Sequence, residues 1–170
     1  DSFTIVLDAQ PQSDVVLNVS SGDTGEVTVT PAVVTFTRVN WNIPQTVTVT
    51  GADDDLTDGN QTTSINVSID GAQSDDNFDS LDNQTVSVIT IDDDVAGFTI
   101  TQTDGSTQVS EAGSTDSFTI VLNAQPQSNV VFNINSGDTG EVTVTPAVVT
   151  FTRVNWNIPQ TVTVTGMDDN

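Results

Sequence analysis

The sequence predicts an all-β fold in which antiparallel β-sandwiches repeat along the chain. Three observations carry that expectation. Apolar residues recur at every second position in short runs, clusters of Gly, Pro, Asn and Asp separate the runs, and the 3.6-residue period of a helix is sustained nowhere. A period of two puts alternate side chains on one face of a strand, so each run carries an apolar face for a core and an opposite face for water.

The elements follow in order. Phe3, Ile5 and Leu7 share one face of a first run, Val15, Leu17 and Val19 of a second, and Val27 and Val29 of a third. Val47 with Val49, then Ile65, Val67 and Ile69, mark two more. Thr fills many outward positions, where a β-branched side chain suits the pleat. The turns come from Pro11, Ser21-Gly22-Asp23, Asn42-Ile43-Pro44, Asp58-Gly59-Asn60 and Asp70-Gly71. Many short strands at this spacing specify a sandwich.

An internal repeat organises the chain. Asp1 to Asp55 recurs as Asp116 to Asn170, a shift of 115 residues, with 48 of 55 aligned positions identical. The seven differences are Asp8/Asn123, Asp14/Asn129, Leu17/Phe132, Val19/Ile134, Ser20/Asn135, Ala52/Met167 and Asp55/Asn170, so apolar positions stay apolar and polar ones polar. A unit of this length is domain-sized, which predicts beads on a string and not a solenoid of short repeats. A bead begins near Val95. Its first strand is expected at 98–102, resuming at 107–110, its second at 117–122 and its third at 130–135. A bent fourth strand is interrupted at Pro146, and a fifth spans 161–165. The sixth and seventh are visible in the first copy, at 63–69 and 85–91. Residues 1–94 therefore read as a first sandwich lacking its first strand, 95–96 as a short linker, and 97–170 as a second sandwich lacking its last two. Such a window cut from a longer array predicts open sheet edges.

Composition excludes most chemistry. The chain carries 24 acids, all but three of them Asp, against two bases, Arg38 and Arg153, and its formal charge is -22. That charge repels nucleic acid and anionic membranes. With no His, Cys or Lys, nucleophile–base pairs, Schiff bases and zinc–thiolate sites are out of reach. An enzyme would have to be a two-carboxylate hydrolase, and two Trp with no Tyr offer little to build an aromatic sugar cleft. No apolar run is long enough to span a bilayer as a helix. The lack of cysteine suits a bacterial cell exterior better than a disulfide-stapled secreted domain.

The acids are not scattered evenly. In a sandwich of alternating strands, the loop after the first strand, those between third and fourth and between fifth and sixth, and the exit of the seventh lie at one end. They hold Glu111, then Asp23 with its copy Asp138, then Asp53, Asp54, Asp55 and Asp58, and finally Asp92, Asp93 and Asp94. Two like charges about 4 Å apart repel by roughly 4 kcal/mol at an effective dielectric of about 20, so such a gathering calls for cations. An all-oxygen donor set suits Ca²⁺ better than Mg²⁺. The stretch from Asp54 is no EF-hand, since Leu56 and Ile65 stand at its third and twelfth positions. The acids of 70–82, including Asp75, Asp76 and Asp79, lie at the other end, where a second site facing the preceding bead is an expectation.

Four stretches together resemble the Calx-beta repeat and related repeats of giant bacterial surface proteins. These are Val109-Ser110-Glu111-Ala112-Gly113, Val149-Thr150-Phe151-Thr152, Gln45-Thr46-Val47-Thr48-Val49 leading into Asp53-Asp54-Asp55, and Ile89-Thr90-Ile91 leading into Asp92-Asp93-Asp94. The turn Asn40-Trp41-Asn42-Ile43-Pro44-Gln45 belongs to the same resemblance. It implies a seven-stranded immunoglobulin-like sandwich that binds Ca²⁺ through the matching acids: Glu111, Asp23, Asp138, Asp53 to Asp55, Asp168, Asp169 and Asp92 to Asp94. The acid-rich continuation is thinner here, with only Asp58 ahead of Gly59.

The reading that results is a calcium-rigidified spacer repeat of a long extracellular fibre or adhesin. Its partners are neighbouring repeats, with no nucleic acid and no membrane insertion. The alternatives are a glycan- or ligand-binding sandwich and a strand-exchanged filament subunit that self-assembles. Trp41 and Trp156 are expected to pack in their turns, outward Thr46, Thr48 and Thr50 to be ordinary strand filling, and the two Arg to pair with nearby carboxylates.

Overall fold

The computed structural model describes residues 1–168, and it is a β-sandwich protein throughout. The chain divides into two compact units, one of Asp1–Asp54 with Gly59–Asp92, the other of Asp55–Asp58 with the chain from Asp93 onward.

The first unit holds β1 (Ser2–Ile5), β2 (Val15–Ser21), β3 (Val27–Thr30), β4 (Val33–Phe36), β5 (Gln45–Gly51), β6 (Gln61–Ile69) and β7 (Gln84–Thr90). They form two antiparallel sheets, of order β1-β5-β3 and β4-β2-β6-β7. Alternation places Val27, Val47 and Val49 of one sheet against Val15, Leu17, Val19, Val34, Phe36 and Ile65 of the other, and these nine form the core. The bent fourth strand of the sequence is two strands. β3 stays with β5, and after Pro31 the chain crosses to the other sheet, where β4 pairs with β2. The peptide bonds Thr30–Pro31 and Thr145–Pro146 are both cis.

The second unit holds β8 (Phe98–Gln102), β9 (Thr115–Leu122), β10 (Val130–Asn133), β11 (Val142–Thr145), β12 (Val148–Phe151) and β13 (Gln160–Gly166). Their sheets run β11-β13-β9-β8 and β10-β12. Its core is Ile120, Leu122, Val149, Phe151 and Val162, flanked by Phe118, Phe132 and Trp156. The expected resumption of the first strand at 107–110 does not form. A short 3₁₀ turn, Thr103–Gly105, follows β8. Side chains then take the backbone donors that a ladder would need: Gln108 N–H donates to the Asp116 carboxylate at 2.7 Å and Ser110 N–H to Ser114 Oγ at 2.7 Å. Asp55–Asp58 belongs to this unit because Gln125 N–H donates to the Asp55 carbonyl at 2.7 Å and Leu56 forms a parallel bridge with Gln125.

The copies repeat many of their local bonds. Leu7 N–H reaches the Trp41 carbonyl and Leu122 N–H the Trp156 carbonyl, both at 3.1 Å, and Ala52 N–H and Met167 N–H reach the Glu26 and Glu141 carbonyls, both at 2.8 Å. Asn40 and Asn155 tie down the same turn by accepting from Thr37 and Thr152 Oγ1 at 2.9 and 2.8 Å. Burial, however, differs with the company each strand keeps. Val15, Leu17 and Val19 of β2, which β6 pairs, are buried, whereas their copies Val130, Phe132 and Ile134 are half-buried, and β10 has only β12 beside it. The reverse holds for β9. Ile120 and Leu122, beside β8, are buried, and their copies Ile5 and Leu7 are half-buried.

Phe36 is fully buried and Val39, three residues on, is 86% exposed. Phe36→Ala should destabilise the first unit by about 3–5 kcal/mol through lost transfer energy and the cavity left behind. Val39→Ala should stay within about 0.5 kcal/mol of the parent. Urea unfolding of the full chain checks both, and equal midpoints for the two variants would contradict the core assignment.

Candidate functional site

The end of the first unit to which the acids were assigned is assembled by hydrogen bonds. The Glu26 carbonyl, just before β3, accepts from Ala52 N–H after β5 at 2.8 Å and from Thr90 Oγ1 at the end of β7 at 3.3 Å. The chain leaving β7 is fastened to the one entering β6: Asp92 Oδ2 accepts from Gly59 N–H at 2.6 Å, and Asp92 N–H donates to Asn60 Oδ1 at 3.1 Å. Gly59 has φ of +78°, a left-handed conformation that a Cβ would strain. Asp92 is half-buried. Glu26 and its copy Glu141, which the sequence reading passed over, stand at this end too. With Glu111 they are the three Glu of the chain, and that rarity was a usable signal.

The other predicted ligands distribute as follows. Asp23 and Asp138 are exposed, and each carboxylate is engaged by its own turn: Oδ1 accepts from Gly25 or Gly140 N–H at 2.9 Å. Ser21 and Ser136 Oγ donate to the Asp23 and Asp138 carbonyls at 2.7 Å. These are Asx turns, in which the side chain replaces a backbone acceptor. Asp53 and Asp54 fall in the first unit, Asp55 and Asp58 in the second, and all four are exposed. Asp93 is exposed and Asp94 half-buried.

In the second unit, Glu111 and Glu141 line a cleft of about 520 Å³ with Ser110 and Gly166. Gly166 lies so close to the Ser110 carbonyl that a Cβ would collide with it, so glycine is required for the loop after β8 to cross β13. Asp168 is exposed just beyond, and Asp169 lies outside the described residues. The donor chemistry, carboxylates with loop carbonyls, is that of a hard cation. Yet among the described residues no three acids stand together as a ready cation site.

One acid of the far loop is engaged by the protein itself. Asp75 is 4% exposed. Its Oδ2 accepts from Gln12 and Ser13 N–H at 2.5 and 3.1 Å, and its Oδ1 from the backbone N–H and side-chain amide of Asn77 at 3.0 and 2.7 Å. The Asn77 and Gln12 N–H groups lead in pulling its pKa from 3.8 to about 2, because they bind the charged form. Asp75 N–H in turn donates to the Asp14 carbonyl at 2.9 Å, so this one residue staples the 70–82 loop to the β1–β2 turn. Asp116 is likewise lowered, by the N–H groups of Gln108 and then Ser117.

Trp156 packs against the core of its unit, and both Trp carbonyls hold the second strand of their repeat. Thr46, Thr48 and Thr50 are exposed along β5. Arg38 and Arg153 are exposed, and their carbonyls accept from Gln10 and Gln125 Nε2 at 2.8 Å. No helix among the described residues is long and apolar enough to cross a membrane. No protein-family model matches this sequence, and no curated protein is similar to it.

Asp75 gives a signed pH dependence. A carboxyl whose folded pKa is depressed stabilises the fold above its unfolded value of 3.8, and that stabilisation is lost as pH falls through about 2. Asp75→Ala should therefore melt below the parent at pH 6, and the difference should shrink as pH drops from 4 to 2. Asp75→Asn, which keeps one acceptor oxygen, should recover part of the loss. Thermal melts across that range provide the check.

Proposed function

We propose that the chain is a stretch of calcium-rigidified spacer repeats from a long extracellular fibre, of the kind its motifs resemble, most simply a bacterial surface adhesin. One observation carries the reading. At one end of the first unit, the start of β3, the end of β5 and the end of β7 are tied together through the Glu26 carbonyl, which accepts from Ala52 N–H and Thr90 Oγ1, and these segments bear Glu26, Asp53, Asp54 and Asp92. The corresponding end of the second unit brings Glu111 and Glu141 to one cleft. Little basic charge is available to offset these acids, so a divalent cation is the natural counter-charge, and it would draw carboxylates together that otherwise spread apart.

Near-identity of the copies supports a structural role over a recognition role. A spacer uses the same module many times, whereas a binding module varies the loops that touch its ligand. Here the turn at Asn40 to Gln45 is unchanged at Asn155 to Gln160. A hydrolase has less support still, because the paired glutamates of the cleft have no aromatic wall beside them.

Calcium should raise the melting temperature of the chain relative to chelator at matched ionic strength. The stabilisation expected is about 2.7 kcal/mol when free ion reaches a hundred times its dissociation constant. Mg²⁺ at the same concentration should do less. Replacing Asp92, Asp93 and Asp94 together by Asn should reduce the calcium response while leaving a folded β-rich chain by circular dichroism. A calcium-independent melt of the parent would sink the reading.

A further inference from the structure

The first unit has an open sheet edge, and the second unit shows what such an edge binds. β1 sits at the margin of its sheet with β5 on one side and, among the described residues, no strand on the other. Its copy β9 has β13 in the same register on one side and β8 on the other. Beside β1 lies a groove of about 840 Å³ whose walls include Ile5 and Leu7, Leu17 and Ile69 from the facing sheet, and Phe78 and Leu81 from the 70–82 loop. We infer that this groove and the edge of β1 form a docking site for a strand with the sequence of β8, Gly97-Phe98-Thr99-Ile100-Thr101-Gln102, supplied by a second copy of the repeat.

The second unit fixes the pose. There Phe98 lies opposite Leu122, Ile100 opposite Ile120 and Gln102 opposite Phe118, all antiparallel. Shifted by 115 residues, these partners are Leu7, Ile5 and Phe3. Phe98 meets the Phe132 ring at 5.0 Å in an edge-to-face contact, and the copy of Phe132 is Leu17, a wall of the open groove. Asn123 N–H donates to the Gly97 carbonyl at 2.9 Å, and Asn123 Oδ1 accepts from Thr99 Oγ1 at 2.9 Å. The copy of Asn123 is Asp8, which also lines the groove and keeps an oxygen acceptor for that threonine. A Cβ on Gly97 would stand 2.9 Å from Asn123 Nδ2, the far end of an exposed side chain that can swing aside.

The backbone of β1 is set for this pairing. Asp1 exchanges both hydrogen bonds with Val49, at 2.9 and 2.8 Å, so odd-numbered positions of β1 face β5 and Thr4, Val6 and Asp8 face the open edge. In β9 the matching position Asn123 is the one bonded to β8. Burial records the missing neighbour: Thr4, Val6 and Ala9 are exposed, while Thr119 and Val121 are half-buried and Ala124 is buried. A strand added here extends a sheet and fills pockets with alternate side chains, the usual logic of β-augmentation. The inference goes beyond the spacer reading and requires no cation.

The test uses the full 170-residue chain and a synthetic peptide of residues 94–102, with amide hydrogen exchange read by NMR in chelator and again in calcium. Peptide at about 1 mM should slow exchange at Thr4, Val6 and Asp8 by about tenfold or more, in chelator as well as in calcium. The same peptide carrying Phe98→Asp, or Ile100→Asp, should give no protection. Unchanged exchange at those three amides, or equal protection by the altered peptides, would overturn the site. Protection in chelator stands even if calcium leaves the melting temperature unmoved, so the two readings fail separately.

Discussion

Pairing along sheet edges is the constraint on which the rest of this structure depends. A short strand of alternating Val, Ile and Thr has only half its surface apolar, and its inward face leaves water only when a neighbour lies alongside and a sheet lies opposite. The chain tests this on itself, since nearly the same sequence occurs in two settings. With β6 and the 70–82 loop alongside β2, Val15 is 0% exposed, and without them its copy Val130 is only half-buried. With β8 alongside, Leu122 is buried, and without it Leu7 is not. Intrinsic propensity is the same in each pair, so the difference is tertiary. The fold is stable to the degree that its edges are occupied.

The acids obey a second rule, set by the near-absence of bases. Lacking Lys and His, the chain solvates its carboxylates with backbone N–H groups: Gly25 and Gly140 for the C-terminal side of two turns, Gly59 for Asp92, and Gln12, Ser13 and Asn77 for Asp75. A glycine often supplies the donor because the carboxylate must come close to the chain. Each bond shapes a loop, and at Asp75 the bonds also favour the charged form. Carboxylates so engaged retain lone pairs, and those at the β3, β5 and β7 end stay near enough to water for an ion to reach them.

Much of the fold was legible because strands, turns and the repeat all write themselves in local sequence. The strands expected at 63–69 and 85–91 needed nothing beyond period and turn chemistry, and they form as Gln61–Ile69 and Gln84–Thr90, while the division between the two compact units falls between Asp92 and Asp93, inside the acidic triplet. What escaped was non-local. Pro31 and its copy Pro146 mark an interruption, and the inward positions shift from Val27 and Val29 before the proline to Val34 and Phe36 after it, but nothing in that local signal says that the chain changes sheets. The run 107–110 alternates as a strand should, yet Asp116 and Ser114 take its N–H groups first. Asp75 looked like one more loop acid, and its burial depends on Gln12 and Ser13, more than sixty residues away. Asp53 to Asp58 read as one loop, but Gln125 captures half of it for the second unit.

The substitutions between copies fit this picture of shared edges. Leu17 becomes Phe132 and Val19 becomes Ile134, so the third strand carries larger apolar side chains in the unit where fewer strands surround it. Phe132 there meets Phe98 and Phe151 in edge-to-face contacts, at 5.0 and 5.8 Å, building a small aromatic cluster. In the first unit the smaller Leu17 stands beside Phe78 of the 70–82 loop, which supplies the aromatic surface from another part of the chain. Volume at this point of the sandwich is thus provided by different residues in the two units, and conservative exchange at the core is tolerated when total volume is kept. The turns that carry backbone geometry have no such freedom. Gly25 and Asn40 recur unchanged as Gly140 and Asn155, where a glycine N–H binds the Asp23 or Asp138 carboxylate and an asparagine Oδ1 closes the turn, and Gly166 leaves no room for a Cβ beside the Ser110 carbonyl.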